Sequence, residues 1–136
     1  HYSGVDKYMH DVVEKAKKDG YAETMFARRR YLPELTASNA NTRAFGERVA
    51  RNMPIQGTAA DIIKIAMIRV YERLERENLA AKLIMQVHDE LIVEATENEK
   101  ERVSALLKEE MENAVKLSVA LTADVHSGRT WYDAKG

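Results

Sequence analysis

Residues 82 to 95, KLIMQVHDELIVEA, constrain the fold more than any other stretch of the chain. Two β-rich apolar runs, LIMQV and LIVEA, flank His88, Asp89 and Glu90. Placing a histidine and two adjacent carboxylates between apolar strands is costly unless they are exposed at a tip or bind a cation. The pattern therefore predicts an antiparallel hairpin with polar groups at its turn. That turn lacks glycine, which makes the tip unusual for a hairpin.

The rest of the chain supplies helices and short strands around this hairpin. Val5, Tyr8, Met9, Val12, Val13 and Ala16 repeat at helical spacing, with Ser3 and Asp6 as an N-terminal cap and Gly20 as the stop. Residues 21 to 26 and 30 to 32 read as two short strands, ended by Pro33. A polar turn, TASNANT at 36 to 42, precedes helices expected at 42 to 52 and 58 to 78. Ala59, Ile62, Ile63, Ala66, Met67, Val70 and Leu74 form the apolar stripe of the second. Pro54 lies between them and predicts a kink or break, because it cannot donate a helical hydrogen bond.

Thr96 and Glu99 read as a capping box opening a fourth helix, with Val103, Leu106, Leu107, Met111, Ala114 and Val115 inward. Val119, Leu121, Ala123 and Val125 alternate as a last strand, and Trp131 and Tyr132 are expected to close the core. Helices and an antiparallel sheet in separate runs define an α+β fold.

Composition excludes several classes. The 136 residues are 45% apolar and 32% charged, the mix of a globular chain with one sizeable core. With 21 Lys+Arg against 22 Asp+Glu the net charge is −1, so bulk charge alone would not hold a polyanion. There is no cysteine, hence no disulfide framework, thiolate zinc site or thiol nucleophile, which fits a reducing cytoplasm. No apolar run approaches a membrane span and no signal peptide is visible. The chain opens on His1 with an amphipathic pattern almost at once, which reads as a piece of something longer. His10 and His126 read as solvated.

The charge is unevenly spread. Between Tyr21 and Gln56 stand Arg28, Arg29, Arg30, Arg43, Arg48 and Arg51 against Glu23, Glu34 and Glu47, a local net of +3 that leaves −4 for the remainder. Arginine without lysine suits phosphate contact, because the planar guanidinium offers paired donors. A solvated arginine-rich surface is the other reading. Arg48, Asn52 and Gln56 are spaced four apart and on a continuous helix would make one polar stripe. Such donors can reach the purine N3 and pyrimidine O2 acceptors of a minor groove, testing duplex shape more than sequence. A plain polar face is again the alternative.

At the tip, carboxylate oxygens are the ligands Mg²⁺ prefers, and it commonly takes one or two plus substrate phosphates. Neighbours on a strand point to opposite faces, so Asp89 and Glu90 share one ion only if the turn redirects one of them. Asp61, Glu94 and Asp124 are the nearest further carboxylates by type.

These segments resemble the family A DNA polymerases. IMQVHDELIVEA (84 to 95) resembles their carboxylate hairpin, and ERVARNMPIQGTAADIIKIAM (47 to 67) the long helix pair of their palm. GYAETMFARRRYLPEL and SGRTWYDAK are similar too, so the likeness runs in order along essentially the whole chain. The resemblance implies a palm portion of a DNA-directed DNA polymerase spanning residues 1 to 136. In such an enzyme the primer 3′-hydroxyl attacks the α-phosphate of a dNTP and pyrophosphate leaves, assisted by two Mg²⁺. By the same resemblance Asp89 is a metal-binding catalytic aspartate, Glu90 the less direct carboxylate, and His88 a neighbour of the primer terminus. Arg48, Asn52 and Gln56 contact the primer–template duplex, and Arg28, Arg29 and Arg30 approach its backbone.

The family's other aspartate motif, of the form DYSQIELR, and its triphosphate-holding helix have no counterpart here. The remainder of a polymerase chain is therefore an expected partner, the metal site is expected to be incomplete, and the fragment alone is expected to be inactive. A non-catalytic duplex-binding module is the alternative. A histidine–aspartate phosphohydrolase fits poorly, since His88-Asp89 lacks partner histidines on neighbouring helices.

Overall fold

The computed structural model describes residues 3–115 and 122–134, with the side chains of Trp131 and Tyr132 outside that description. The chain forms two compact units, His1–Asp61 and Ile62–Gly136. Each has its own apolar cluster where length and composition had suggested one.

In the first unit, helix α1 (Ser3–Asp19) stops at Gly20, whose φ of 84° is easy only for glycine and whose N–H closes onto the Ala16 carbonyl. Strands β1 (Tyr21–Glu23) and β2 (Arg29–Tyr31) then pair antiparallel, Ala22 opposite Arg30. Pro33 opens a single 3₁₀ turn, Pro33–Thr36. Helix α2 (Ala40–Asn52) begins one turn later, capped by Asn39 Oδ1, which accepts from the N–H groups of Asn41 and Thr42. Val13, Ala16, Ala22, Leu32, Leu35, Ala50 and Met53 make the core. That core reaches only the later turns of α1. Val5 and Tyr8, expected inward, are exposed instead.

Of the kink or break expected at Pro54, the chain shows an interruption of the α-helical pattern rather than an end to the helix. Met53–Gly57 form a π turn that runs directly into α3 (Thr58–Arg76). Pro54 has no N–H for the Ala50 carbonyl, and its ring would clash there; widening the turn by one residue relieves both problems without ending the helix.

In the second unit, β3 (Lys82–Val87) and β4 (Glu90–Glu94) form the predicted hairpin, antiparallel, with an irregularity at Ile84 between Leu83 and Met85. Its Leu83, Leu91 and Val93 pack on a core of Val70, Leu74, Ala81, Val103 and Leu106. Helix α4 (Lys100–Glu112) follows a 3₁₀ turn, Glu97–Glu99. The expected capping box is absent: Thr96 makes no side-chain cap, and Glu99 instead accepts from the N–H groups of Ala80 and Ala81 at 3.1 and 3.0 Å. Of the expected last strand, Val119 and Leu121 lie outside the described residues, while Ala123 and Val125 belong to no strand. The side chains of Trp131 and Tyr132 also lie outside, although α5 (Trp131–Ala134) is a single helical turn. Two antiparallel pairs among helices make the fold α+β, as expected.

Candidate nucleic-acid interface and carboxylate tip

Val87 pairs with Glu90, so the β3–β4 turn consists of His88 and Asp89 alone. A two-residue hairpin of this kind demands positive φ, and in the absence of glycine His88 supplies it at 53°. Histidine is among the side chains that tolerate this region best. The Gln86 amide nitrogen donates to the His88 carbonyl at 2.6 Å, which holds the reversal. All three tip residues are exposed.

Because Asp89 lies in the turn and only Glu90 opens the strand, strict face alternation does not separate them. Both border one open cleft of about 980 Å³, walled also by Asp124, His126 and Arg129. Glu94 stands at the far end of β4, opposite Lys82. Asp61 belongs to the first unit and is ion-paired with Arg28. Among the described residues no three histidine, aspartate or glutamate side chains converge as a metal cluster. Two exposed neighbouring carboxylates nonetheless match in chemical type the partial oxygen set that Mg²⁺ takes from a protein when substrate supplies the rest.

The basic side belongs to the first unit. Arg48 and Asn52 lie four apart on α2, Gln56 lies in the π turn, and all three are exposed. Arg48 and Arg30 make no ion pair among the described residues. Arg29 lies over the Tyr21 ring, 4.3 Å from its centroid, with Glu23 at 3.7 Å. Tyr31, then Tyr21, pushes its pKa above the ordinary value. Arg43 donates to the carbonyls of Ala37 and Ser38, ahead of α2.

Arg28 differs from its neighbours. Its Nε donates to Asp61 Oδ1 at 2.7 Å and its Nη2 to the Gly57 carbonyl at 3.3 Å. Sequence reasoning missed Asp61, Thr24 and Gly57 as its surroundings. A single sequence offers no signal for pairing residues 33 positions apart.

The family model described as DNA polymerase family A matches residues 1–133, and the chain belongs to that family. It is 55% identical over 134 residues to DNA polymerase I of Bacillus caldotenax and 53% identical over 134 residues to that of Bacillus subtilis (strain 168). Each match covers 98% of this chain but 15% of the relative, so the chain spans about a seventh of those proteins. Among solved structures, the POL domain of Pol1 from M. smegmatis, in complex with DNA primer-template and dNTP, superposes with a TM-score of 0.93 at 47% identity. That match covers 99% of this chain and 24% of the other. No helix among the described residues is long and apolar enough to cross a membrane.

Proposed function

We propose that this chain is a palm portion of a DNA-directed DNA polymerase, which in the intact protein takes part in templated transfer of a nucleotide from dNTP to a primer 3′-hydroxyl. The observation that carries the reading is the two-residue turn that sets Asp89 and Glu90 side by side on an open cleft, in a chain of family A. Asp89, with Glu90 beside it, would hold Mg²⁺. When bound, the ion supplies charge stabilisation to the attacking and leaving oxygens of the phosphoryl transfer.

The chain's own residues handle the duplex. Arg48, Asn52 and Gln56 donate to minor-groove acceptors near the primer end, where every correct pair offers one at an equivalent place. Arg29 and Arg30 approach the phosphate backbone, and His88 stands near the primer terminus. The remaining metal ligand and the groups that hold the triphosphate come from the rest of the polymerase chain.

Primer extension in Mg²⁺ tests the division of labour. The intact protein is expected to extend a matched primer, and the 136-residue chain alone is not. Templated addition by the isolated chain would sink the claim that its site is partial. The exposure of the 48/52/56 stripe also suits a second reading of the isolated chain, as a duplex-binding module without catalysis. Duplex affinity that persists in EDTA and falls in Arg48→Ala supports it; affinity that vanishes in EDTA opposes it.

A further inference from the structure

Arg28 stands first in an arginine triplet whose composition suggests phosphate contact, yet its guanidinium is spent inside its own unit. Nε donates to Asp61 Oδ1 and Nη2 to the Gly57 carbonyl. Asp61 is largely buried, its side chain 10% exposed. The turn that carries Arg28 is fastened at further points. Thr24 Oγ1 accepts from the N–H groups of Phe26 and Arg28 at 3.1 and 3.3 Å. The Met25 N–H donates to Thr58 Oγ1 at 2.9 Å. Thr24 also packs so closely on Gly57 that a Cβ there would lie 2.8 Å from its Cγ2. Ala27 takes a φ of 63°, a conformation that a residue with a side chain keeps only where its surroundings dictate it.

Every one of these contacts from the β1–β2 turn to the helices lands on Gly57, Thr58 or Asp61. That is the end of the π turn and the first turn of α3, immediately after Gln56. Residues four apart on an α-helix advance about 40° beyond a full turn, so an uninterrupted helix would carry Gln56 progressively away from Arg48. A turn closed from i to i+5 holds roughly one residue more, so the drift from Asn52 to Gln56 reverses instead of accumulating. With the π turn kept, the three donors lie in a narrower sector of the surface than the roughly 80° they would span on an uninterrupted helix.

We propose that Arg28 is a positioning residue rather than a phosphate contact. Its ion pair with Asp61 pins the β1–β2 turn against the π turn and holds Gln56 in register with Arg48 and Asn52. The inference rests on the reading of that stripe as a duplex contact. Lysine would not serve, because one point charge cannot reproduce two donors fixed in a plane and aimed at different acceptors.

The experiment uses the intact polymerase chain and a primer–template duplex, with binding measured in EDTA across a salt series and extension in Mg²⁺. Asp61→Asn separates the two roles by sign. It removes a negative charge and frees an arginine, so duplex binding tightens if Arg28 is a phosphate contact. If Arg28 is a positioning residue, Asp61→Asn behaves like Arg28→Ala. Both are expected to cut discrimination between a matched and a mispaired primer terminus by roughly tenfold, with no further loss when Gln56→Ala is added. The salt slope of binding stays unchanged, and Arg28→Lys, which keeps the charge but not the paired donors, loses discrimination as Arg28→Ala does.

Tighter binding by Asp61→Asn overturns the proposal. So does a salt slope that falls by about one in Arg28→Ala, or a loss that adds fully to that of Gln56→Ala. If Arg48→Ala and Gln56→Ala themselves leave binding and discrimination untouched, the stripe reading fails first and the positioning role falls with it.

Discussion

A methyl group added at Gly57 would come within 2.8 Å of Thr24 Cγ2 and 3.1 Å of Met53 Sδ, and of the two it is the short Thr24 side chain that cannot swing aside. Thr24 is buried and its hydroxyl already accepts from two backbone N–H groups, which fixes its rotamer. Met53 is part of the first core. Gly57→Ala is therefore expected to cost about 1–3 kcal/mol of stability, as overpacking does in a closed site. Thr24→Ser keeps the hydroxyl and removes the offending methyl, so the double variant should recover part of that loss. Urea denaturation of the two single variants and the double checks this; strictly additive losses would show that the two groups do not meet. At this scale the sequence was informative about kind and silent about company. It put three ionisable groups at a hairpin tip, since two apolar strands leave them nowhere else to go. That His88 would bear the positive φ, or that Arg28 would turn towards Asp61, depends on three-dimensional neighbours that no local pattern encodes.

The helices were legible because each carries an apolar face long enough to read: α3 buries Ile63, Ala66, Val70 and Leu74 from its predicted stripe. Legibility failed where an element's end was settled by another element. Glu99 was expected to cap its own helix, but Ala80 and Ala81 precede β3 with two N–H groups to satisfy, and its carboxylate serves both. Pro54 was expected to kink or break the helix, and a π turn there interrupts the α-helical pattern without ending it. The ion pairs joining α3 to α4 are of the same kind. Arg73 contacts Glu77 and Glu109, and Arg102 contacts Glu77 at 2.7 Å. Arg73 first, and then Arg102, lowers the Glu77 pKa below its ordinary 4.5. A carboxyl depressed in the folded state stabilises it above its unfolded pKa, and that contribution is lost as pH falls through the lower, folded value. Arg73 stays charged throughout, its pKa raised chiefly by Glu77. Below about pH 4.5 the melting temperature of the wild type should therefore fall more steeply than that of Glu77→Gln. Parallel pH profiles for the two proteins would remove Glu77 from the account.

Over the whole molecule, counting apolar residues suggested one core because such a count is blind to where the chain divides. The division falls at Asp61, inside a continuous helix, with no glycine- or proline-rich linker to announce it. The net charge of −1 was equally blind, since it averages a stretch of +3 with a remainder that holds the tip carboxylates. Family membership was legible because the motifs follow one another along the whole chain. The uneven charge makes binding and chemistry separable. Asp89 is exposed and acidic, and in metal-free buffer it can only repel a phosphate backbone. In the intact protein, Asp89→Asn is thus expected to bind primer–template in EDTA as tightly as the wild type or somewhat more tightly. If the tip holds Mg²⁺ as proposed, the same change removes one of its ligands, so extension in Mg²⁺ should fall on the order of a hundredfold or more. Arg30→Ala should do the converse, weakening binding and lowering the salt slope by about one while leaving extension at saturating duplex near its original rate. Filter-binding titrations across a salt series and single-turnover extension read the two quantities independently. If duplex affinity and extension fall together in Asp89→Asn, the tip holds nucleic acid rather than metal, and its catalytic reading is wrong.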